Sequence, residues 1–302
     1  MKISLLTDAP DYNLALMKLS AFHKAQGDEV ILNNPIQPAN YTYASVLFEW
    51  NKGLFYANEY GGPQFPEFTL SPEVERMRPD YDIYPIDFSL GYTFRPCFRG
   101  CLFCKVRLIK QPDVVHHSIW EFHDKRFKKI CLMNNNTFFD RLWKETFEEI
   151  WAENLELTEH GFDVRLVDDE KAEAIKKTKF ASRPHFAWDR MKDEKIILER
   201  TKILKDHKIG GRFYVMCGYD TNLEQDIYRC QQLINLDQVP FVMPFNKSDT
   251  VMMHFMNFIN SLDWWHGREN IKPQFDKYIK GEMNKKQRKI DKKLTTKTEE
   301  MF

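Results

Sequence analysis

Short apolar runs alternate along most of this chain with longer segments in which apolar residues recur every three or four positions. The short runs predict strands, and the longer spacing predicts amphipathic helices. The predicted strands cover residues 2–7, 28–33, 44–50, 86–94, 129–134, 162–167, 184–188, 212–219 and 240–245. The predicted helices cover residues 13–27, 140–155, 168–179, 193–208, 222–236 and 250–266. This alternation predicts βαβ units and a parallel sheet.

The same pattern divides the chain into three regions. Residues 1–86 are predicted to form a small α/β domain, which ends in a loop rich in Gly and Pro over residues 60–85. Residues 87–246 hold six predicted strands, which favours an open, partial (β/α)6 TIM-like barrel because a closed barrel needs eight. Residues 247–302 are predicted to be C-terminal helices and a basic tail, since residues 276–302 carry nine Lys or Arg against five Asp or Glu.

Composition and charge narrow the class of protein. The 302 residues carry 44 Lys or Arg and 44 Asp or Glu, which argues against a globally basic nucleic-acid-binding protein. The N-terminus lacks the pattern of a secretory signal, and the apolar runs are too short to cross a membrane. Six cysteines, three of them clustered, do not form a disulfide framework. We therefore expect a cytoplasmic protein with reduced thiols. Its tail is expected to be solvated, with nucleic-acid contact as the open alternative.

The clustered cysteines lie just after the predicted strand at residues 86–94. Cys97, Cys101 and Cys104 have the spacing Cys-x3-Cys-x2-Cys. A fourth protein ligand is missing from this group, and His116 or His117 is the nearest candidate. Three thiolates leave a bound metal with an open coordination position, which is typical of a reactive site. The positive neighbours, which favour thiolate, are Arg95, Arg99, Lys105 and Arg107.

Polar residues also follow the predicted strands, where parallel α/β folds place their chemistry. These residues are Asn134, Asn135, Asn136, Asp168, Asp189, Asp220 and Asn246. Structural roles are open for several of them. Asn135 and Asn136 fit turn or cap positions before the next helix, and Asp168 fits an N-cap position. The remaining cysteines, Cys131, Cys217 and Cys230, are widely spaced and are predicted to be buried core thiols.

The cysteine spacing, with Phe103 just before the third cysteine, resembles the radical S-adenosylmethionine (SAM) superfamily. Further segments over residues 88–246 resemble a bacterial and phage group of that superfamily. These segments are LMNNNTF, GFDVRL, HFAWD, GYDTNLEQDIYRC and FVMPFN. Residues 1–86 resemble the truncated cobalamin-binding-type domain that this group often carries, although they lack the Asp-x-His-x-x-Gly ligand pattern.

The resemblance implies a radical SAM enzyme. Cys97, Cys101 and Cys104 would hold a 4Fe–4S cluster whose fourth iron binds SAM. An electron donor such as flavodoxin or ferredoxin would drive cleavage of SAM, and the resulting radical would abstract a substrate hydrogen. The residues implied in SAM binding are Phe103, over the adenine, Asn134 and Asn135, near the amino group, and Arg165, at the carboxylate.

Two matters stay open at this point. Arg165 has a structural alternative, since it can pair with Asp163 two residues away. The substrate and the catalytic residues are not readable, although a nucleic acid or nucleotide is one possibility. The competing function is a zinc-stabilised nucleic-acid-binding protein without catalysis, in which His116 or His117 completes the three cysteines.

Overall fold

The structure is a computed structural model with a mixed α/β fold and parallel sheets. It describes residues 1–9, 11–109, 114–158, 161–261 and 270–282. The chain forms two compact units, Met1–Gly161 and Phe162–Phe302. This division falls inside the region predicted as a barrel, so the domains predicted at 1–86, 87–246 and 247–302 stay predictions. None of the helices in the described ranges combines the length and apolar character that crossing a membrane requires.

The first unit begins with a parallel four-stranded sheet. Its elements are β1 (Lys2–Thr7), α1 (Leu14–Ala25), β2 (Glu29–Leu32), β3 (Tyr41–Ser45), β4 (Glu59–Gly61) and α2 (Pro72–Glu75). The strands are adjacent in the order β2-β1-β3-β4. Asn13 caps the N-terminus of helix α1, because its side chain accepts a hydrogen bond from the backbone N–H of Leu16. The helix and sheet share a core that includes Ile3, Leu5 and Leu16.

A second parallel sheet follows in the same unit. Its elements are β5 (Ser89–Gly91), β6 (Lys129–Leu132), α3 (Trp143–Ala152) and β7 (Glu156–Leu157). Strands β5, β6 and β7 are adjacent in chain order within a four-stranded sheet. Leu90, Ile130 and Leu157 are fully buried, as expected for strands covered on both faces.

The second unit contains a third parallel sheet and most of the helices. Strands β9, β10 and β11 are adjacent in chain order and run parallel. Phe186, Phe213 and Val242 form part of its buried core. The elements of this unit are α4 (Asp169–Lys177), β8 (Lys179–Phe180), β9 (His185–Ala187), α5 (Glu194–Asp206), β10 (Arg212–Cys217), α6 (Leu223–Asn235), β11 (Val239–Pro244), α7 (Thr250–Asn260) and α8 (Ile271–Ile279).

Two strand predictions are wrong, one in its bounds and one in the type of structure. The strand predicted at 44–50 is β3, which ends at Ser45 and is followed by a 3-10 turn at Glu49–Asn51. The segment predicted as a strand at 162–167 instead contains a 3-10 turn at Val164–Leu166. The Asp163 side chain favours this turn because it accepts a hydrogen bond from the backbone N–H of Arg165. The basic tail is described only as far as residue 282, and the rest of that prediction lies outside the described residues.

Candidate functional site at the cysteine loop

The cysteine loop, residues 92–109, leaves β5 at a tightly packed corner. A Cβ atom on Gly91, the last residue of β5, would lie 2.4 Å from the ring of Phe122. The Tyr81 hydroxyl accepts a hydrogen bond from the Leu90 N–H at 3.2 Å and donates to the Phe122 carbonyl at 2.6 Å. Burial raises the pKa of Tyr81 to about 12, so this donor keeps its proton. The point where the loop begins is therefore fixed by buried contacts.

Asn134, at the end of β6, holds the first residues of the loop. Its Oδ1 accepts hydrogen bonds from the backbone N–H groups of Thr93 at 3.0 Å and Phe94 at 3.1 Å. Its Nδ2 donates to the hydroxyls of Thr93 at 2.9 Å and Thr137 at 3.2 Å. These four bonds use the full capacity of a primary amide. Asn134 therefore sets the path of the chain three residues before Cys97, and its contact with the SAM amino group stays a prediction.

Asn135 supports the same segment from the surface. Its exposed side chain donates from Nδ2 to the Arg95 carbonyl at 2.6 Å. Gly161, after β7, packs against this turn, because a Cβ atom on it would lie 2.5 Å from the Asn134 carbonyl oxygen. The Gly161 carbonyl also accepts a hydrogen bond from the Thr137 N–H at 2.9 Å. The loop is thus supported by the two segments that follow β6 and β7.

The three motif cysteines are thiols, and each is half-buried. The Cys104 N–H donates to the Cys101 carbonyl at 3.0 Å, which closes a turn around the half-buried Phe103. Gly100 precedes this turn with φ +58°, and a Cβ atom on it would meet nothing within 4 Å. A glycine is favoured there by the backbone conformation rather than by lack of space. Cys101, Phe103 and Cys104 therefore belong to one compact turn.

Positive charge surrounds the cysteines. Residues 88–112 include five Lys or Arg and no Asp or Glu. The Arg95 guanidinium lies over the Tyr92 ring at 5.0 Å from its centroid, and that of Arg99 lies over the Phe139 ring at 5.3 Å. Aromatic rings orient these cations, and Arg95 Nη1 also lies 3.5 Å from Glu75 Oε1. Cationic side chains near a cysteine favour its thiolate form.

The two histidines considered as a fourth ligand are both held by carboxylates. His116 Nδ1 lies 2.6 Å from Asp140 Oδ2, and its Nε2 lies 3.8 Å from Glu145 Oε2. His117 Nδ1 lies 2.9 Å from Glu121 Oε2. A carboxylate on one ring nitrogen fixes the orientation of the other. Such pairs occur in structural and in metal-binding histidines, and the zinc function stays a prediction.

Arg165 is engaged by acidic residues of the second unit. Its Nε and Nη2 donate to the two carboxylate oxygens of Asp163 at 2.7 and 3.0 Å, and its Nη1 donates to Asp193 Oδ2 at 2.9 Å. Asp193 also accepts two hydrogen bonds from Arg190. The pairing of Arg165 with Asp163, the structural alternative for this residue, is confirmed. Contact with the SAM carboxylate stays a prediction.

The residues that follow strands in the second unit play different roles. Asp168 caps α4 by accepting a hydrogen bond from the Lys171 N–H at 2.9 Å, which confirms its structural alternative. Asp189 follows β9 and accepts a backbone hydrogen bond from Met216. Burial raises the pKa of Asp189 to about 6, and the nearby guanidinium groups of Arg229 and Arg165 oppose that rise. Asp189 therefore changes its charge around pH 6 rather than around pH 4.

A fully buried ion pair, Asp226 with Arg229, joins the ends of β9 and β10. The Arg229 guanidinium donates to Asp226 Oδ1 at 2.5 Å, to the Trp188 carbonyl at 2.5 Å and to the Met216 carbonyl at 2.6 Å. The other Asp226 oxygen accepts from the Gly218 N–H at 3.1 Å. This pair is not predicted from the sequence, because Asp and Arg three positions apart on a helix are typical of an exposed face.

The three cysteines outside the motif are buried, as predicted. Cys131, Cys217 and Cys230 are each at most 1% exposed. Burial raises the pKa of the Cys217 and Cys230 thiols, with a further contribution at Cys217 from Cys230 and Asp226. A thiol with a raised pKa is a poor metal ligand. Cys217 and Cys230 are therefore unsuited to ligate a metal.

Within the described ranges, no three His, Cys, Asp or Glu side chains are grouped so as to hold one metal ion.

Comparison with known proteins assigns no function to this site. No family model matches this chain, and no curated protein sequence matches it.

Proposed function

We propose that this chain is a radical SAM enzyme that binds a 4Fe–4S cluster through Cys97, Cys101 and Cys104. The observation that carries the proposal is the position of the motif. The three cysteines lie within eight residues of one loop, and that loop follows a strand of a parallel sheet. Parallel α/β folds place their chemistry at the carboxyl ends of strands.

The donor set suits such a cluster. Each thiolate of a 4Fe–4S cluster ligates a different iron, so the three sulfur atoms do not have to surround one ion. Their half-buried positions leave them accessible, and the excess of Lys and Arg offsets the charge of thiolate ligands. When bound with SAM, the cluster supplies the electron that cleaves SAM to a 5′-deoxyadenosyl radical. Reduced thiols are required for this, which agrees with the cytoplasmic location expected from the sequence.

The residues of the chain supply orientation. Asn134 holds the start of the cysteine loop, and Asn135 supports it through the Arg95 carbonyl. In the proposal, the Phe103 backbone lies against the adenine of SAM. Arg165 binds the SAM carboxylate only if it exchanges one of its two aspartate partners, because both occupy its guanidinium.

The proposal includes a fold and an electron donor. Strands β5-β6-β7 and β9-β10-β11 would be the two parts of a partial (β/α)6 TIM-like barrel. The parallel direction and sequential order of each sheet support this. An acceptor loop with excess positive charge also fits a donor such as flavodoxin or ferredoxin, if the donor presents an acidic face.

Anaerobic purification with iron and sulfide quantitation, followed by a 5′-deoxyadenosine assay with SAM and dithionite, tests the proposal. We expect about four irons per chain, and 5′-deoxyadenosine that depends on them. The Cys97→Ala, Cys101→Ala, Cys104→Ala triple variant should lose both. Cys131→Ala is the matched control, because it removes a thiol outside the loop and should retain both. One zinc per chain with no cleavage of SAM would overturn the proposal.

A further inference from the structure

A cavity of about 530 Å³ lies within the first unit and is lined by residues of α1, β3, β4 and the cysteine loop. The chain places β2 on one side of β1 and β3 on the other, so the strand order reverses between β1 and β3. At such a point the loops that leave two neighbouring strands diverge and open a crevice, where open α/β sheets bind ligands. Asn13, which follows β1, and Ser45, the last residue of β3, both line this cavity. One part of the cavity therefore lies at the position where the topology predicts a ligand.

The lining of the cavity is mainly apolar and rich in aromatic rings. Small-molecule sites have this character, with a few polar groups that orient the ligand. Aromatic side chains favour planar partners, because rings pack in offset or edge-to-face contacts. Six aromatic residues line the cavity: Tyr12, Phe22, Tyr43, Tyr60, Phe68 and Tyr92.

The charged groups of the lining are distributed unevenly. Lys18 Nζ lies 2.8 Å from Glu75 Oε1, and Arg95 Nη1 lies 3.5 Å from the same oxygen. Two cations thus share one carboxylate, which leaves this part of the lining with an excess positive charge. The other carboxylate, that of Glu59, accepts a hydrogen bond from the Tyr41 hydroxyl at 2.7 Å. The Arg95 side chain is 36% exposed and is able to accept a further anion.

We propose that this cavity binds a small aromatic anion, with its ring system among the aromatic side chains and its anionic group at Arg95 and Lys18. Arginine binds carboxylate, sulfonate and phosphate groups through paired hydrogen bonds. Arg95 belongs to the cysteine loop, two residues before Cys97. A bound ligand therefore contacts the loop that carries the cysteines. This inference is independent of the proposed function, since the binding is measured without iron or SAM.

Glycine positions in this region allow the cavity to be filled without strain. Gly61 lines the cavity, and a Cβ atom on it would meet nothing within 4 Å. Its backbone is outside the left-handed region, so a larger side chain is tolerated there. We expect Gly61→Leu to occupy part of the cavity. Gly53→Leu is the matched control, because Gly53 has equally open space but lies outside the lining.

The probes are 1-anilinonaphthalene-8-sulfonate, an aromatic anion, and N-phenyl-1-naphthylamine, its uncharged counterpart. With the full chain, we expect the sulfonate to bind at one site and Gly61→Leu to weaken that binding about tenfold. Gly53→Leu should bind as the wild type does. Arg95→Gln should weaken binding of the sulfonate about fivefold and leave the uncharged probe unchanged. Circular dichroism of each variant shows whether the fold is retained.

Competition between the sulfonate probe and other aromatic anions identifies the anionic group that the cavity prefers. Displacement of the sulfonate by adenosine 5′-monophosphate supports a phosphate ligand, and displacement by indole-3-acetate supports a carboxylate ligand. Displacement by neither compound overturns the proposal. Equal effects of Arg95→Gln on the charged and uncharged probes also overturn it, as does unchanged binding in Gly61→Leu.

Discussion

The ends of β5 and β6 in the first unit differ from the ends of β9 and β10 in the second. In the first unit, the neutral Asn134 amide holds the loop through three hydrogen bonds, and a fourth joins it to Thr137. In the second, the fully buried Arg229 and Asp226 bind the strand ends as charged groups. A neutral network keeps its bonds as pH changes, whereas a buried ion pair depends on both partners being present. Asn134 therefore holds the start of the cysteine loop without adding a charge next to the cysteines.

Removal of Arg229 should lower the free energy of unfolding more than any other change that tests this comparison. Arg229→Met leaves Asp226 as an unpaired buried charge and removes the donors to Trp188 and Met216. We expect it to lower the free energy of unfolding by about 3–5 kcal/mol, measured by urea denaturation of the full chain. The exposed Lys202→Met should change that free energy by no more than about 0.5 kcal/mol. A loss below about 1 kcal/mol in Arg229→Met would contradict the buried-charge account.

Removal of the Asn134 side chain, which makes the neutral hydrogen bonds, should have the second largest effect on the free energy of unfolding. Asn134→Ala leaves the backbone N–H groups of Thr93 and Phe94 without their acceptor, which should cost about 2–4 kcal/mol. Asn135→Ala is the neighbouring control, since it removes one exposed hydrogen bond and should cost about 1 kcal/mol or less. Urea denaturation measures both variants. Equal losses would show that Asn134 does not hold the loop.

Asp189 gives the second unit a pH dependence that the Asn134 network lacks. Its pKa is raised from 3.8 to about 6 in the folded chain. The folded state therefore binds the proton more tightly, and stability should fall as pH rises from about 4 to about 6. Asp189→Asn should remove this fall and gain about 2–3 kcal/mol at pH 7. The groups that face Asp189 are Arg229, Arg165 and Arg190. Unfolding measured at several pH values checks this, and a flat wild-type profile would contradict it.

His207 should add the smallest effect, and its contribution should fall with rising pH, as that of Asp189 does. Hydrogen bonds to Asp169 and Glu173 raise the pKa of His207. Its stabilising contribution is complete below the unfolded pKa of about 6.5 and is lost as pH rises through the higher folded value. Because both carboxylates are exposed, His207→Gln should cost less than about 1 kcal/mol at pH 6. The cost should disappear at pH 9, and a cost that persists there would indicate packing instead.

Periodicity predicted the elements that have a clear apolar face. The strand predicted at 2–7 coincides with β1, and the helix predicted at 222–236 contains α6. The pattern at 162–167 alternates like a strand, but the side chain of Asp163 bonds the local backbone and forms a 3-10 turn. Strand β4 was not predicted, because its three residues carry no alternation. Periodicity does not show where a side-chain hydrogen bond replaces a strand by a turn. It also does not show a strand of only three residues.

The candidate site was only partly readable from the sequence. The spacing of Cys97, Cys101 and Cys104 is a local property, so the sequence contains it. The partners of Asn134 and the burial of Asp226 and Arg229 arise only when distant segments meet. A residue in the middle of a helix shows its charge in the sequence but not the direction in which it faces.

The spacing of Asp226 and Arg229 also bears on how the second unit folds. They lie one helical turn apart on α6, so their charges pair as soon as that turn forms. The chain then carries a neutral pair into the core, and the desolvation penalty falls on the pair rather than on two separate ions. We expect α6 to be helical before the ends of β9 and β10 are buried. The spacing of two charged residues in the sequence thus leads us to expect a particular order of folding events.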